Sequence, residues 1–489
     1  MSVTVNHDLW TGSEVALAVG GQSVKGNSNW SAGGLSIDSR SLVAGDLFVA
    51  LTGPKFDGHQ FLGSAFKRGA AAAIVAQDPA TLSGINDACP CLRVADGYQG
   101  LVDLASAAVK RSPAKRIAVT GSVGKTGTKE MLKVVLGNQG QTTATIGNLN
   151  NHIGLPLSLA RMPVSTQFGV FELGMNAAGE IEMLSKMARP HVAIITRVEL
   201  VHSEFFKSRQ DIARAKAEIF NAMDKDATAI LNADDMDFDL LKSLADQAGI
   251  KSIITFAENN SSDIRLINVQ PTANGQSITI SFFGRSMSFS LALHGRHWAM
   301  NAMAVLAAVH SVDGDVNKAA NDLKQMTALQ GRGLKTSVQC ALGSFDVIDE
   351  SYNASPASMI ASIGVLAGTQ PVEQGRRIAI IGDMLELGKL SKMRHAELNK
   401  AVVGSGIDLL ICVGKDMKSL WDVAIGQING KHFENSNDAA DYIKSEIKNN
   451  DVVMVKGSKG SRMDLVVDAL NALNETQVAD FPSALENKR

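Results

Sequence analysis

At 489 residues the chain is long enough for about three domains, and 45% hydrophobic against 20% charged residues suits a globular protein with buried cores. A formal net charge of −2 leaves no basic excess for a nucleic-acid surface or an anionic membrane, and no apolar run approaches the ~18 residues of a membrane span. Residues 1–12 lack a basic stretch followed by an apolar one, so no signal peptide is expected; the scattered Cys89, Cys91, Cys340 and Cys412 make a poor zinc site and read as reduced thiols of a cytoplasmic protein.

In chain order, the stretch to about Ser112 is Gly-rich early and holds two short strand-like runs, 46–51 and 72–75. Residues 111–114 (RSPA) read as a linker, since Pro among small residues punctuates structure. Beyond it, the runs 116–120, 168–171, 191–196 and 227–231 are β-branched, continuous in hydrophobicity and separated by helical patterns. That pattern predicts a parallel sheet covered on both faces. Residues 264–293 alternate instead and predict a small antiparallel insert or edge. From Gly331 the α/β signature repeats at 345–349, 377–381, 409–413 and 452–455. The expectation is an α/β protein of three domains, 1–112, 113–330 and 331–489, the central one built on a mostly parallel sheet and the last Rossmann-like.

The sharpest motif is Thr120-Gly-Ser-Val-Gly-Lys-Thr126, which follows a strand and opens a helical pattern at 129–136. Glycines Gly121 and Gly124, with Ser122 between them, let backbone N–H groups turn inward around phosphate oxygens, and the helix N-terminus adds its positive end. Lys125 would reach the β and γ phosphates, and the Thr126 hydroxyl would ligate Mg2+. The strict template has Gly where Val119 stands, so this is a shortened GxxGKT, and a glycine-requiring strand-to-helix turn would look similar.

Glu172 closes the next strand, where ligands of open parallel sheets bind; taken singly, such a Glu is more often solvated or capping. His202 follows a third strand on the same edge, although Mg2+ prefers oxygen ligands. Lys216 lies in a helical stretch, 213–220, and from periodicity alone reads as a surface lysine.

Taken together and in order, these residues resemble the Mur ligase family. GSVGKTGTKE (121–130) is similar to its GTNGKT-type loop, and Glu172, His202 and Lys216 match its two magnesium-binding residues and its carbamylated lysine. HGRHWAMN (294–301) is similar to the segment whose Asn, here Asn301, lies against adenine, and Gly331-Arg332 to the Gly-Arg whose Arg contacts the γ-phosphate. Further stretches narrow the resemblance to members that add a dipeptide: SIDSR (36–40), GDLFVAL (45–51), FDGH (56–59), GNLNN (147–151), DESYNASP (349–356), GDMLELG (382–388) with His395, and KGS (456–458). Departures are Gly127, His152, Arg197, Glu350, Ser355 and Asp464, where Thr or Ser, Asp, Asn, Asp, Asn and Glu are expected.

The resemblance implies a monomeric, ATP- and Mg2+-dependent ligase that joins D-Ala-D-Ala to UDP-MurNAc-tripeptide through an acyl phosphate. It implies that Thr126, Glu172, His202 and Lys216 hold metal, that Asn301, Arg332 and Asp349 meet ATP, that Ser39 and Arg40 hold the uridine diphosphate end of the substrate, that Asn148 and Asn151 bind substrate, and that Tyr352 and Asn353 meet the incoming dipeptide. A sister ligase with another amino acid or a polyglutamate-type ligase, a scaffold that kept the fold, and an unrelated small-molecule kinase are the competing readings. The 349–356 segment opposes the first, and the intact lysine, threonine, glutamate and histidine set opposes the second. Three domains and the His-to-Lys arrangement oppose the third.

Overall fold

The computed structural model describes residues 9–78, 81–200, 206–272, 275–341 and 343–474. Three sheets organise them. The first has five strands in the order Gln22–Lys25, Cys91–Arg93, Ala72–Val75, Asp46–Val49, Gly34–Ser36. The central one has nine: Thr142–Ala144, Phe168–Glu172, Lys115–Thr120, Val192–Ile195, Thr228–Asn232, Ser252–Ala257, Ile264–Thr272, Gly275–Phe282 and Arg285–Leu291. The last has six: Leu334–Cys340, Gly343–Glu350, Val452–Lys456, Arg377–Gly382, Leu409–Val413 and Gly430–Phe433.

The central strands run parallel up to Ile264–Thr272, after which two antiparallel pairings finish the edge. The three strands between Ile264 and Leu291 are therefore an extension of this sheet. Continuous apolar strands bury side chains on both faces. Ile117, Val119, Ile194 and Ile230 pack with Leu132, Val135 and the helix Arg296–Ser311 on one side. Ala118, Phe171, Ala193, Ile195 and Leu231 pack on the other. In the third sheet only the opening pair, Leu334–Cys340 with Gly343–Glu350, is antiparallel.

The first two units share packing. Leu157 and Ala160 of the helix Gly154–Ala160 sit in the N-terminal core with Leu101, Leu104 and Ala108. Trp10 Nε1 donates to the Ala160 carbonyl at 2.8 Å, and Arg161 Nε to the Leu35 carbonyl at 2.7 Å. The four cysteines are free thiols. Among the described residues no helix is long and apolar enough to cross a membrane.

Candidate active site

The strand Lys115–Thr120 delivers the chain to a turn that only glycine can make. Gly121 and Gly124 hold φ of +148° and +90°, and a Cβ on Gly121 would lie 2.0 Å from Thr196 Oγ1. Thr196, ending the neighbouring strand, donates through Oγ1 to the Val123 carbonyl at 2.6 Å. Ser122 and Glu199 exchange bonds, Ser122 Oγ to the Glu199 carbonyl and Glu199 N–H to Ser122 Oγ, both 3.0 Å. The helix Lys125–Gly137 starts at Gly124 with no side chain capping it, so its first N–H groups face the loop's hollow. Lys125 Nζ folds back onto the Gly121 carbonyl at 2.6 Å. This is a cradle suited to phosphate, with its cation in place.

Strand register sets Glu172 beside Val119, at the same sheet edge as the loop. The residue is 2% exposed. Oε2 accepts from Thr126 Oγ1 at 2.9 Å and Oε1 from Asn150 Nδ2 at 2.7 Å. A hydroxyl and a carboxylate converging beside a phosphate cradle form the hard-oxygen donor set that Mg2+ takes. Asn150 was not singled out from the sequence; it lies within the GNLNN segment, and only the fold shows which asparagine turns inward. Asn148 is exposed, and Asn151 Oδ1 accepts the Ile153 and Gly154 N–H groups at 3.2 and 2.9 Å, starting the next helix.

Lys216 corrects the periodicity reading. It lies in the helix Arg209–Ala217 but is 2% exposed, because that helix packs against the sheet through the alanines flanking it. Burial first, then the nearby charge of Lys125, pushes its ammonium well below the usual lysine range. Among the described residues no carboxylate pairs with it within ion-pair distance. Lys125 is likewise lowered, by burial first; Glu172 opposes that shift and Arg332 adds to it. Lys125, Lys216, Glu172 and Arg332 thus share one electrostatic neighbourhood. His202 lies outside the described residues.

Asn301, on the helix Arg296–Ser311, closes over the loop: a Cβ on Gly124 would come 2.9 Å from its Oδ1. Gly127, one of the departures, has a local reason. A Cβ there would lie 2.5 Å from Trp298 Cζ3, so the indole occupies the room a threonine would need.

From the third domain, the Arg332 guanidinium stacks 4.2 Å from the Tyr352 ring centre. Asp349, 3% exposed, fixes this corner: Oδ2 accepts the Gly331 N–H at 2.7 Å, and Oδ1 the Ser351 N–H and hydroxyl at 3.0 and 2.6 Å. Asn353 is exposed, and its carbonyl accepts from the buried Lys456 Nζ at 2.9 Å. Glu350 lies 3.4 Å from the same ammonium. Ser355 caps the helix Pro356–Gly368, a role serine fills as well as asparagine. His395, wholly buried, donates from Nδ1 to the Ser391 carbonyl (2.7 Å) and accepts the Met384 N–H at Nε2 (2.9 Å), pinning the 382–388 loop.

In the first domain Ser39 is buried and Arg40 exposed. Arg40 grips Asp38 through Nε and Nη2 at 2.9 and 2.7 Å. Two other departures sit at the surface: His152 stands edge-on to Tyr98, with ring centres 6.0 Å apart, and Arg197 pairs with Glu199 at 2.5 Å.

A phosphate cradle on a parallel sheet, with an arginine brought to it from a third α/β domain, defines an ATP-dependent ligase of three domains. Family models match in sequence: the Mur ligase family catalytic domain over residues 32–119, the Mur ligase middle domain over 119–309, and the Mur ligase glutamate ligase domain over 337–459. The chain belongs to the Mur ligase family. It is 32% identical over 462 residues to the UDP-N-acetylmuramoyl-tripeptide--D-alanyl-D-alanine ligase of Rickettsia prowazekii, covering 94% of this chain and 99% of that one. To the protein of the same name from Escherichia coli it is 35% identical, covering 89% and 93%. Among solved structures, MurF from Acinetobacter baumannii superposes with a TM-score of 0.81 at 28% identity, over 95% of this chain and 99% of that one. MurF from Thermotoga maritima in complex with ADP gives 0.75 at 25%, over 91% and 98%.

Proposed function

We propose that this chain joins D-alanyl-D-alanine to UDP-N-acetylmuramoyl-tripeptide at the expense of ATP, making the pentapeptide precursor of peptidoglycan in the cytoplasm. The observation that carries it is the convergence of Lys125, Thr126, Glu172, Lys216 and Arg332 on one site, in a chain similar over 94% of its length to a ligase of that name.

The terminal carboxylate of the tripeptide attacks the γ-phosphorus of ATP; the bond to the β-bridging oxygen breaks and ADP leaves. Lys125, with the N–H groups of the loop and helix start, neutralises charge growing on the phosphoryl oxygens, and Arg332 does so from the third domain. The dipeptide amine then attacks the acyl carbon, the carbon–oxygen bond to phosphate breaks, and the amine proton is lost as the amide forms. Thr126 and Glu172 would hold Mg2+, with His202 and Lys216 holding a second ion; the metal, when bound, screens phosphate charge. Lys216 suits a carbamate because burial, and then the charge of Lys125, lowers its proton affinity well below that of an ordinary lysine, and the neutral amine this favours is the form that adds CO2. Tyr352 and Asn353 face the dipeptide; Ser39 and Arg40 hold the uridine diphosphate end of the other substrate, which Asn148 and Asn151 also bind; Asn301 meets the adenine. Asp349 acts on the nucleotide through the Gly331-Arg332 corner that it holds. All these residues come from one chain, so a monomer suffices.

The deciding assay is phosphate release from ATP and Mg2+ with the two substrates supplied separately and together. Release only with both, with a pentapeptide product by mass, is expected. Release with another amine in place of the dipeptide would reassign the acceptor, and none from a folded, ATP-binding protein would leave a scaffold.

A further inference from the structure

The helix that begins at the phosphate loop carries a lysine with no role in the chemistry above. Lys129 lies one turn beyond Thr126, and its side chain is 0% exposed. A buried ammonium is costly to keep unless it is paired and hydrogen-bonded. Lys129 meets that need with its neighbour Glu130, with the Thr145 carbonyl at 2.9 Å and with the Gly147 carbonyl at 3.5 Å. Both carbonyls belong to the segment that continues into Gly147-Asn-Leu-Asn-Asn151.

That segment returns to the site. The Thr145 hydroxyl, 1% exposed with its residue, accepts the Glu172 N–H at 3.2 Å. Asn150 donates to Glu172 Oε1 and Thr126 to Oε2. Because Thr126 and Lys129 share one helix, these contacts close a ring: helix to Lys129, to residues 145–150, to Glu172, and back to the helix through Thr126. Each link fixes a different part of Glu172, its backbone and both carboxylate oxygens. An apolar residue at position 129 would fill the space but leave two carbonyls of the segment unpaired.

We infer that Lys129 is a positioning residue: it pins residues 145–150 to the phosphate-loop helix and thereby aims the Glu172 carboxylate at the place where the nucleotide's divalent cation sits. The inference rests on the nucleotide-site reading given above. Partners one shell behind a metal ligand change metal affinity by about 10–100-fold when removed, so the effect should appear in metal-dependent binding and not in binding as such.

The test is titration of the purified full-length protein with ADP, with and without Mg2+, for the wild type, Lys129→Met and Thr145→Val. Both variants should keep metal-free ADP affinity while losing about tenfold or more of the enhancement that Mg2+ gives. Arg376→Met breaks a pair with the buried Asp451 in the third domain and serves as the comparator for general destabilisation. It should lower the melting temperature without touching that enhancement. Should Lys129→Met fail to fold, Thr145→Val breaks the same ring with little change of shape and decides the matter alone. An undiminished Mg2+ enhancement in the variants, or an equal loss in Arg376→Met, overturns the positioning role. A wild type whose ADP binding ignores Mg2+ overturns the nucleotide-site reading itself.

Discussion

Two lysines with lowered proton affinity stand side by side, and their burial predicts different consequences. The charge of Glu172 favours the ammonium of Lys125, which bonds the Gly121 carbonyl in the loop. Lys125→Ala should cut turnover by about 10²–10³-fold, the range seen when one donor to transition-state charge is lost, with the melting temperature unchanged; a variant that keeps a tenth of the activity would remove the lysine from the mechanism. Lys216 is buried, with no carboxylate partner among the described residues, so its folded pKa lies below its unfolded one. The unfolded chain then binds more protons, and the penalty on folding is largest at low pH and vanishes as pH rises to the normal lysine value. In carbonate-free buffer, Lys216→Met should therefore be more heat-stable than wild type, by a margin that widens as pH falls. The same variant should be inactive, and Lys216→Ala partly rescued by short carboxylic acids that replace the carbamate oxygens. A margin independent of pH would mean that folding does not lower the proton affinity of Lys216.

At the scale of elements, the phosphate-loop helix and the helix Arg296–Ser311 meet at a size-matched pair. Gly127 has no side chain where the Trp298 ring sits. Gly127→Thr should cost about 1–3 kcal/mol by overpacking. Combining it with Trp298→Leu should recover part of the loss, read as a non-additive double-mutant cycle in chemical denaturation. His395 similarly ties the 382–388 loop to its following helix by one donated and one accepted bond. His395→Ala should cost about 1–3 kcal/mol because it leaves the Met384 N–H without its acceptor. Unchanged denaturation midpoints would show that the loop holds itself.

For the whole molecule, the seam between the first and central units and the seam to the third differ in kind. Leu157, Ala160 and Trp10 weld the first two into a common core, whereas the third reaches the phosphate loop through Arg332, a half-buried side chain stacked on Tyr352. Interfaces of the second kind permit relative motion. Closure on binding ATP and the peptide substrates should therefore be carried by the third domain. Small-angle scattering should report a smaller radius of gyration only when ligands are present. Arg332→Lys, which keeps the charge but loses the planar stack, should lower kcat by about tenfold or more and weaken that compaction. Equal compaction in the variant would separate Arg332 from closure.

The sequence by itself determined the local pieces: apolar β-branched runs could only be covered parallel strands, and glycines around Lys125-Thr126 could only serve a tight turn into a helix. The ordered motifs were enough to name the family, because each demands a particular residue at a particular place along the chain. What sequence patterns could not hold was direction. Lys216 has the spacing of a surface lysine and is buried only because its helix docks on the sheet. Within GNLNN nothing distinguishes Asn150, which meets Glu172, from Asn151, which accepts the Ile153 and Gly154 N–H groups, or from Asn148 in solvent. Lys129 reads as one more polar helix residue until residues 145–147 close over it. Periodicity is a property of one element, whereas burial and hydrogen-bond partners arise between elements distant in sequence, so only the tertiary structure decides them.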